Sequence, residues 1–146
     1  MAGQLHGKRG LIMGVANDRS IAWGIAKAMA EAGAELAFSY QGEAFGKRVL
    51  PLAESLGSDF MVDMDVTDDA AMDRGFEELK AKWPTIDFLV HAIAFSSKEE
   101  LGGRFINTSR ENFKNSLDIS CYSLIDVARR AAPMMKDGGA ILTLTY

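Results

Sequence analysis

Five short apolar runs punctuate the chain, at residues 10–13, 35–40, 60–66, 88–94 and 140–146. Several are apolar at consecutive positions rather than alternate ones, the pattern of strands covered on both faces. Amphipathic segments fill the gaps. Ile21, Ile25 and Met29 recur every four residues, and Gly33 stands where a left-handed residue ends a helix. Met72, Phe76, Leu79 and Trp83 make a second stripe, behind Thr67, Asp68 and Asp69 as capping and dipole-compensating residues. Thr108 and Glu111 have capping-box spacing and open a long helix carrying Phe113, Leu117, Leu124, Val127 and Ala131. In residues 43–56, Pro51 is expected to kink or interrupt a helix. Strands alternating with crossovers in this way predict an α/β fold with a parallel sheet.

Composition narrows the classes without choosing among them. A chain of 146 residues, 48% hydrophobic and 25% charged, fits one soluble globular domain. The formal charge of −4 offers no basic footprint for nucleic acid. No run reaches the ~18 apolar residues of a membrane span, and residues 1–9 lack the apolar core of a signal peptide. Cys121, the only cysteine, has no intrachain partner, which reads as a reducing cytoplasm.

Chemistry enters at the end of the first strand, in Gly14-Val15-Ala16-Asn17-Asp18-Arg19-Ser20-Ile21-Ala22-Trp23-Gly24. Gly14 can take the backbone angles of a tight turn and let the chain approach a ligand. Ser20 can cap the helix, whose positive end and unpaired amides favour a pyrophosphate. Gly24, on the first turn, would let the helix lie close to the sheet or a cofactor. An ordinary strand-to-helix loop is the plain alternative. A turn placed after the first strand and before an Ala-rich helix favours dinucleotide binding, hence a Rossmann-type doubly wound sheet with residues 1–146 as its dinucleotide-binding domain.

The usual G-x-G-x-x-G spelling is absent. Gly14, five residues, then Ser20-Ile21-Ala22 and Gly24-Ile25-Ala26 resemble instead the variant turn of bacterial enoyl-acyl carrier protein reductases, a divergent branch of the short-chain dehydrogenase/reductase family. The resemblance continues through Glu31-Ala32-Gly33-Ala34-Glu35, Leu56-Gly57-Ser58-Asp59, Asp65-Val66, His91-Ala92-Ile93-Ala94-Phe95, Asp118-Ile119-Ser120 and Leu142-Thr143-Leu144-Thr145-Tyr146. It covers essentially the whole chain, in the family's order.

The resemblance implies roles for individual positions. Gly14, Ala16, Ser20 and Ile21 would line the pyrophosphate and nicotinamide side of the cofactor. Gln41 would face the adenosine ribose, Asp65 and Val66 the adenine, and Ile93 a ribose, with Ser96 at the substrate mouth. Tyr146 begins the family's active-site tyrosine region, which continues with a second tyrosine and a lysine. On this reading the sheet is truncated after its fifth strand, and the 146 residues alone are expected to be inactive. The implied activity is NADH-dependent reduction of trans-2-enoyl thioesters in fatty-acid elongation, with acyl carrier protein as substrate carrier and a homo-oligomer, a tetramer in the family. Ala94 occupies a position where relatives commonly have glycine.

The residues themselves favour NADH over NADPH. A 2′-phosphate needs nearby cations, whereas Tyr40-Gln41-Gly42-Glu43 offers a neutral amide and a carboxylate. Elsewhere the plainer readings prevail. His91, in an apolar strand, is expected to be a satisfied core histidine. Two histidines and one distant cysteine give no metal-ligand spacing, and Cys121 is expected to pack mid-helix as a small hydrophobe. Asp63, Asp65, Asp68 and Asp69 should diverge through strand alternation and capping. A ketone reductase would need a more ordinary glycine turn and an Asn-Ala-Gly-like end to strand four. A non-catalytic nucleotide-binding module is the alternative from another class.

Overall fold

Leu11, Ile12 and Met13 are all fully buried, as a strand sandwiched between helices requires. They belong to β1 (Arg9–Met13), the centre of a five-stranded parallel sheet in the computed structural model, which describes residues 3–145. The elements that follow are α1 (Ile21–Glu31), β2 (Glu35–Tyr40), α2 (Gly42–Ser55), β3 (Met61–Asp63), α3 (Asp69–Lys82), β4 (Phe88–His91), α4 (Arg110–Leu117), a π-turn (Asp118–Tyr122), α5 (Ser123–Ala131) and β5 (Ala140–Thr143). Strand order is β3-β2-β1-β4-β5. The chain therefore builds outward from β1 to β3, then returns to the other side of β1 for β4, and that reversal opens a crevice at the strand C-termini.

Alternate strand residues serve the two faces. Ile12, Phe38 and Val90 pack against Ala22, Trp23 and Ala26 of α1 and Val49 and Ala53 of α2. Leu11, Met13, Ala37 and Leu89 pack against Met72, Phe76 and Leu79 of α3 and Val127 and Ala131 of α5. Phe60 meets Trp83 edge-on, with ring centroids 5.0 Å apart. Arg130 reaches Asp69, Asp73 and the buried Asp126, binding α5 to α3.

The helix ends follow local chemistry. Gly33 adopts φ +96°; its amide bonds Ala30 and the Ala34 amide bonds Met29, which together form a complete Schellman closure of α1. Asp68 caps α3 by accepting from the Ala70 and Ala71 amides. At α4 the cap is Ser109, which accepts from the Asn112 amide, rather than Thr108, whose hydroxyl donates to the Phe105 carbonyl.

Several expectations need correction. The buried face of α1 is Ala22, Trp23 and Ala26, while Ile21 is 67% exposed. Added bulk at Gly24 would meet no protein atom within 4 Å, so close approach of the helix to the sheet does not explain it. Pro51 does not interrupt α2, which runs continuously through it; it lies on the exposed side, where water can satisfy the carbonyl it deprives of a partner. The long helix after residue 109 is broken by the π-turn, leaving Phe113 and Leu117 exposed and Cys121 exposed rather than packed. The third, fourth and fifth strands end earlier than their apolar runs, and β5 lies at an edge of the described sheet.

Candidate nucleotide-binding site

Gly14 leaves β1 with φ +106°, and a Cβ there would lie 2.0 Å from the Ala92 carbonyl oxygen. Only glycine lets the loop after β1 press against the segment after β4. Where the two part, a cleft of about 520 Å³ opens, of the size that holds small ligands. Gly14 and Ala16 line it from the first loop, Gln41 from the end of β2, Asp65 and Val66 from beyond β3, and Ile93 from beyond β4. Six residues spread over the sequence thus meet at one place.

Two predicted neighbours of the cleft take other positions. Ser20 stands at the helix N-cap position, but its hydroxyl caps nothing in α1. Its Oγ instead accepts from the Ala16 amide at 3.0 Å and the Asn17 amide at 3.1 Å, pinning the loop. Asn17 Oδ1 in turn accepts from the Arg19 amide at 2.8 Å. Ser20 has then spent its lone pairs and keeps a proton to donate, while the first amides of α1 have no partner within the helix. Ile21 is at that same helix end, exposed.

Ser96 follows Phe95 but does not line the cleft. Its Oγ accepts from Asn112 Nδ2 at 3.1 Å and shares a hydroxyl contact with Ser116 at 2.9 Å, so its side chain faces α4 rather than the cleft. Beside it, a shallower hollow of about 840 Å³ is bounded by Ser97, Glu100, Ser109 and Asn112. It is larger than the cleft, and four of its polar residues bond one another: Ser109 donates to Glu100, and the Ser97 amide to Asn112. Phe95 and Asn115 border both spaces. Tyr146 lies outside the described residues.

On the adenosine side, Asp65 is held by three donors. Oδ1 accepts from the Thr67 amide at 2.9 Å and the Thr67 hydroxyl at 2.7 Å, and Oδ2 from Gln41 Nε2 at 2.8 Å. Burial opposes ionisation, yet the Thr67 and Gln41 bonds outweigh it and lower the carboxyl below its ordinary range. Of the neighbouring acids, Asp68 turns away to cap α3 as expected, whereas Asp63 stays beside Asp65, accepting from the Gly42 amide and bordering the same shallow hollow as Asp65. Glu43 pairs with Lys47 at 2.6 Å, both side chains exposed.

Thr67, Asn115 and Ile119 also line the cleft and were not singled out by sequence as ligand neighbours. Thr67 was legible: Asp-x-Thr after a strand is the spelling of a side-chain-to-backbone turn. Among the described residues, no group of three or more His, Cys, Asp or Glu is placed to hold a metal ion. No helix there is long and apolar enough to cross a membrane.

Comparison with known proteins settles the lineage. The family model described as enoyl-(acyl carrier protein) reductase matches residues 14–146. The chain belongs to this family. Among enoyl-acyl carrier protein reductases, it is 61% identical over 145 residues to "Enoyl-[acyl-carrier-protein] reductase [NADH] 1" of Rhizobium meliloti, covering 99% of this chain and 53% of that protein. The solved structure of FabI from Candidatus Liberibacter asiaticus superposes with a TM-score of 0.97 at 58% identity, covering 100% of this chain and 57% of that one. The reductase of Anaplasma phagocytophilum, solved in complex with NAD, gives a TM-score of 0.96 at 52% identity, with 100% and 56% covered. The chain spans about half the length of the curated relatives it matches.

Proposed function

We propose that the protein carrying this chain is an NADH-dependent enoyl-acyl carrier protein reductase, and that the cleft holds the dinucleotide. The observation that carries the reading is the convergence of Gly14, Ala16, Gln41, Asp65, Val66 and Ile93 on one cleft at the sheet's switch point. The residues fit the group. The glycine cradle at Gly14 admits close backbone approach, and Ser20 together with the first amides of α1 offers donors to a pyrophosphate. Gln41 offers an acceptor to a ribose hydroxyl, Asp65 one to the adenine amine, and Val66 and Ile93 supply apolar contact.

When bound, the nicotinamide supplies the hydride that reduces C3 of a trans-2-enoyl thioester. The chain's own residues orient that ring and keep the site walled. The Ala94–Phe95 segment separates the cleft from the polar hollow, through which the thioester on its acyl carrier protein would arrive past Ser96. The hydroxyl of Tyr146 is assigned to the enolate oxygen, where negative charge develops. The reading includes a cytoplasmic homo-oligomer, a tetramer. The exposed Phe113, Leu117, Tyr122 and Ile125 on the α4–α5 side supply apolar surface for it.

The test is oxidation of NADH by a crotonyl thioester in the protein at its natural length, followed by nicotinamide absorbance. Turnover that is lost on Gly14→Val supports the reading; absence of NADH binding to the natural-length protein overturns it. Sedimentation of the same sample reads the oligomer.

A further inference from the structure

His91 ends β4 just before the cleft wall begins, and it is 1% exposed. Its ring carries no ion pair. Nδ1 lies 3.0 Å from Thr143 Oγ1 on β5, and Nε2 lies 2.7 Å from Ser123 Oγ at the start of α5. Ser123 has one hydroxyl proton, and it is committed to the Ile119 carbonyl at 2.6 Å. Its oxygen therefore accepts from the ring. Burial without an ion pair favours the neutral imidazole, so the single proton sits on Nε2 and Nδ1 accepts from Thr143. Donors thus run in one direction, from Thr143 through His91 and Ser123 to the Ile119 carbonyl.

That carbonyl lies in the π-turn. In an α-helix it would accept from the Ser123 amide, but the amide here reaches Asp118, five residues back. The Ser123 hydroxyl takes the place the amide vacated. The wide turn so held presents Ile119 to the cleft. It also presents Ser120, whose Oγ accepts from the Phe95 amide at 2.9 Å and donates to the Phe95 carbonyl at 3.1 Å. One serine holds both backbone groups of the residue that divides the cleft from the hollow.

We infer that His91 is a positioning residue: through Ser123 it holds open the π-turn whose Ser120 clamps Phe95, and so fixes the cleft wall on the nicotinamide side. The inference rests on the reading of the cleft as a nicotinamide dinucleotide site. His91 itself touches neither cofactor nor substrate and acts through another side chain.

The experiment uses the natural-length protein, with NADH affinity from fluorescence titration and hydrogen exchange at the Phe95 amide as paired readouts. His91→Asn and Ser123→Ala each weaken NADH binding about fivefold to tenfold, the scale of one lost buried hydrogen bond, and quicken exchange at Phe95. His91→Gln, which keeps an amide donor near the Nε2 position, restores both. Ser120→Ala reproduces the loss, and adding Ser123→Ala to it costs nothing further, the non-additivity of residues acting in series. Additive losses overturn the inference, as does folded Ser123→Ala with affinity and Phe95 exchange unchanged. Should His91→Asn fail to fold, Ser123→Ala, lacking a single hydroxyl, decides alone. If the parent protein binds no NADH, the cleft reading fails, and Phe95 exchange still judges the relay.

Discussion

Gln41 donates its side-chain amide to the carboxylate of Asp65 at 2.8 Å. An ionised carboxylate only accepts, so Gln41 must turn its nitrogen toward Asp65, which leaves its carbonyl oxygen for a ligand. An acceptor suits a ribose hydroxyl and repels a 2′-phosphate. NADH is therefore expected to bind the natural-length protein more tightly than NADPH in parallel titrations. Glu43 contributes less to this than its sequence position suggests, because Lys47 already pairs with it. Glu43→Arg is expected to narrow the difference only a few-fold, by ~1 kcal/mol or less, as exposed pairs do. Tighter NADPH binding by the unmodified protein contradicts the account.

Ser20→Ala removes the oxygen that gathers the Ala16 and Asn17 amides. Both amides are near solvent, so water replaces part of the loss, and a cost of about 1 kcal/mol in unfolding free energy is expected. Dinucleotide affinity should fall with it. A variant with an unchanged denaturant midpoint and unchanged affinity would refute the role given to the hydroxyl.

Gly14→Ala combines a left-handed backbone with a Cβ 2.0 Å from a main-chain oxygen. Strain at such a position costs ~1–3 kcal/mol before any displacement of Ala92 is counted. Thermal melting should show a clear loss of stability, with nucleotide binding impaired beyond it. A wild-type melting point would mean that the loop after β1 does not press on the segment after β4.

Burial lowers the His91 basicity below the ordinary histidine value of 6.5, against a smaller opposing backbone contact. The folded state therefore resists a proton that the unfolded chain accepts. Stability from this residue is complete above pH 6.5 and declines as pH falls below it toward the folded value. Denaturation series from pH 8 to pH 5 (roughly spanning the histidine range) should show this slope, flattened in His91→Gln. Equal slopes in both proteins would show that His91 does not titrate as its burial requires.

The sheet and its ligand edge were legible because their signals are apolar and contiguous. β1, β2 and the Met72-Phe76-Leu79-Trp83 stripe of α3 sit where the pattern puts them. The α4–α5 region was legible only at Val127 and Ala131, which are buried as the stripe predicts, and the rest was hidden for a physical reason. Its inward face includes Asn112 and Ser123, buried polar groups whose partners Ser96, Ser97 and His91 lie far away in sequence, and Asp126, which pairs with Arg129 and Arg130 of its own helix, while Phe113 and Leu117 point outward. A hydrophobic stripe cannot report a face that is buried through hydrogen bonds. The π-turn has no composition of its own either; the His91–Ser123 contact inferred to hold it spans 32 positions. At α1 the four-residue spacing found the core side in Ile25 and Met29, which pack beside the buried Ala22, Trp23 and Ala26, but it began one residue early, at the exposed Ile21. Ser20 was placed correctly at the helix entrance, but whether its oxygen would turn forward or back depended on loop geometry.

That backward turn bears on how fast a ligand is captured. A loop already tied by Ser20 to Ala16 and Asn17, and by Asn17 to Arg19, has its shape before anything arrives. Little ordering remains to be completed in the encounter, so association should proceed without a slow closing phase. Differences among dinucleotides, and among variants that keep the loop tied, should then appear mainly as residence time.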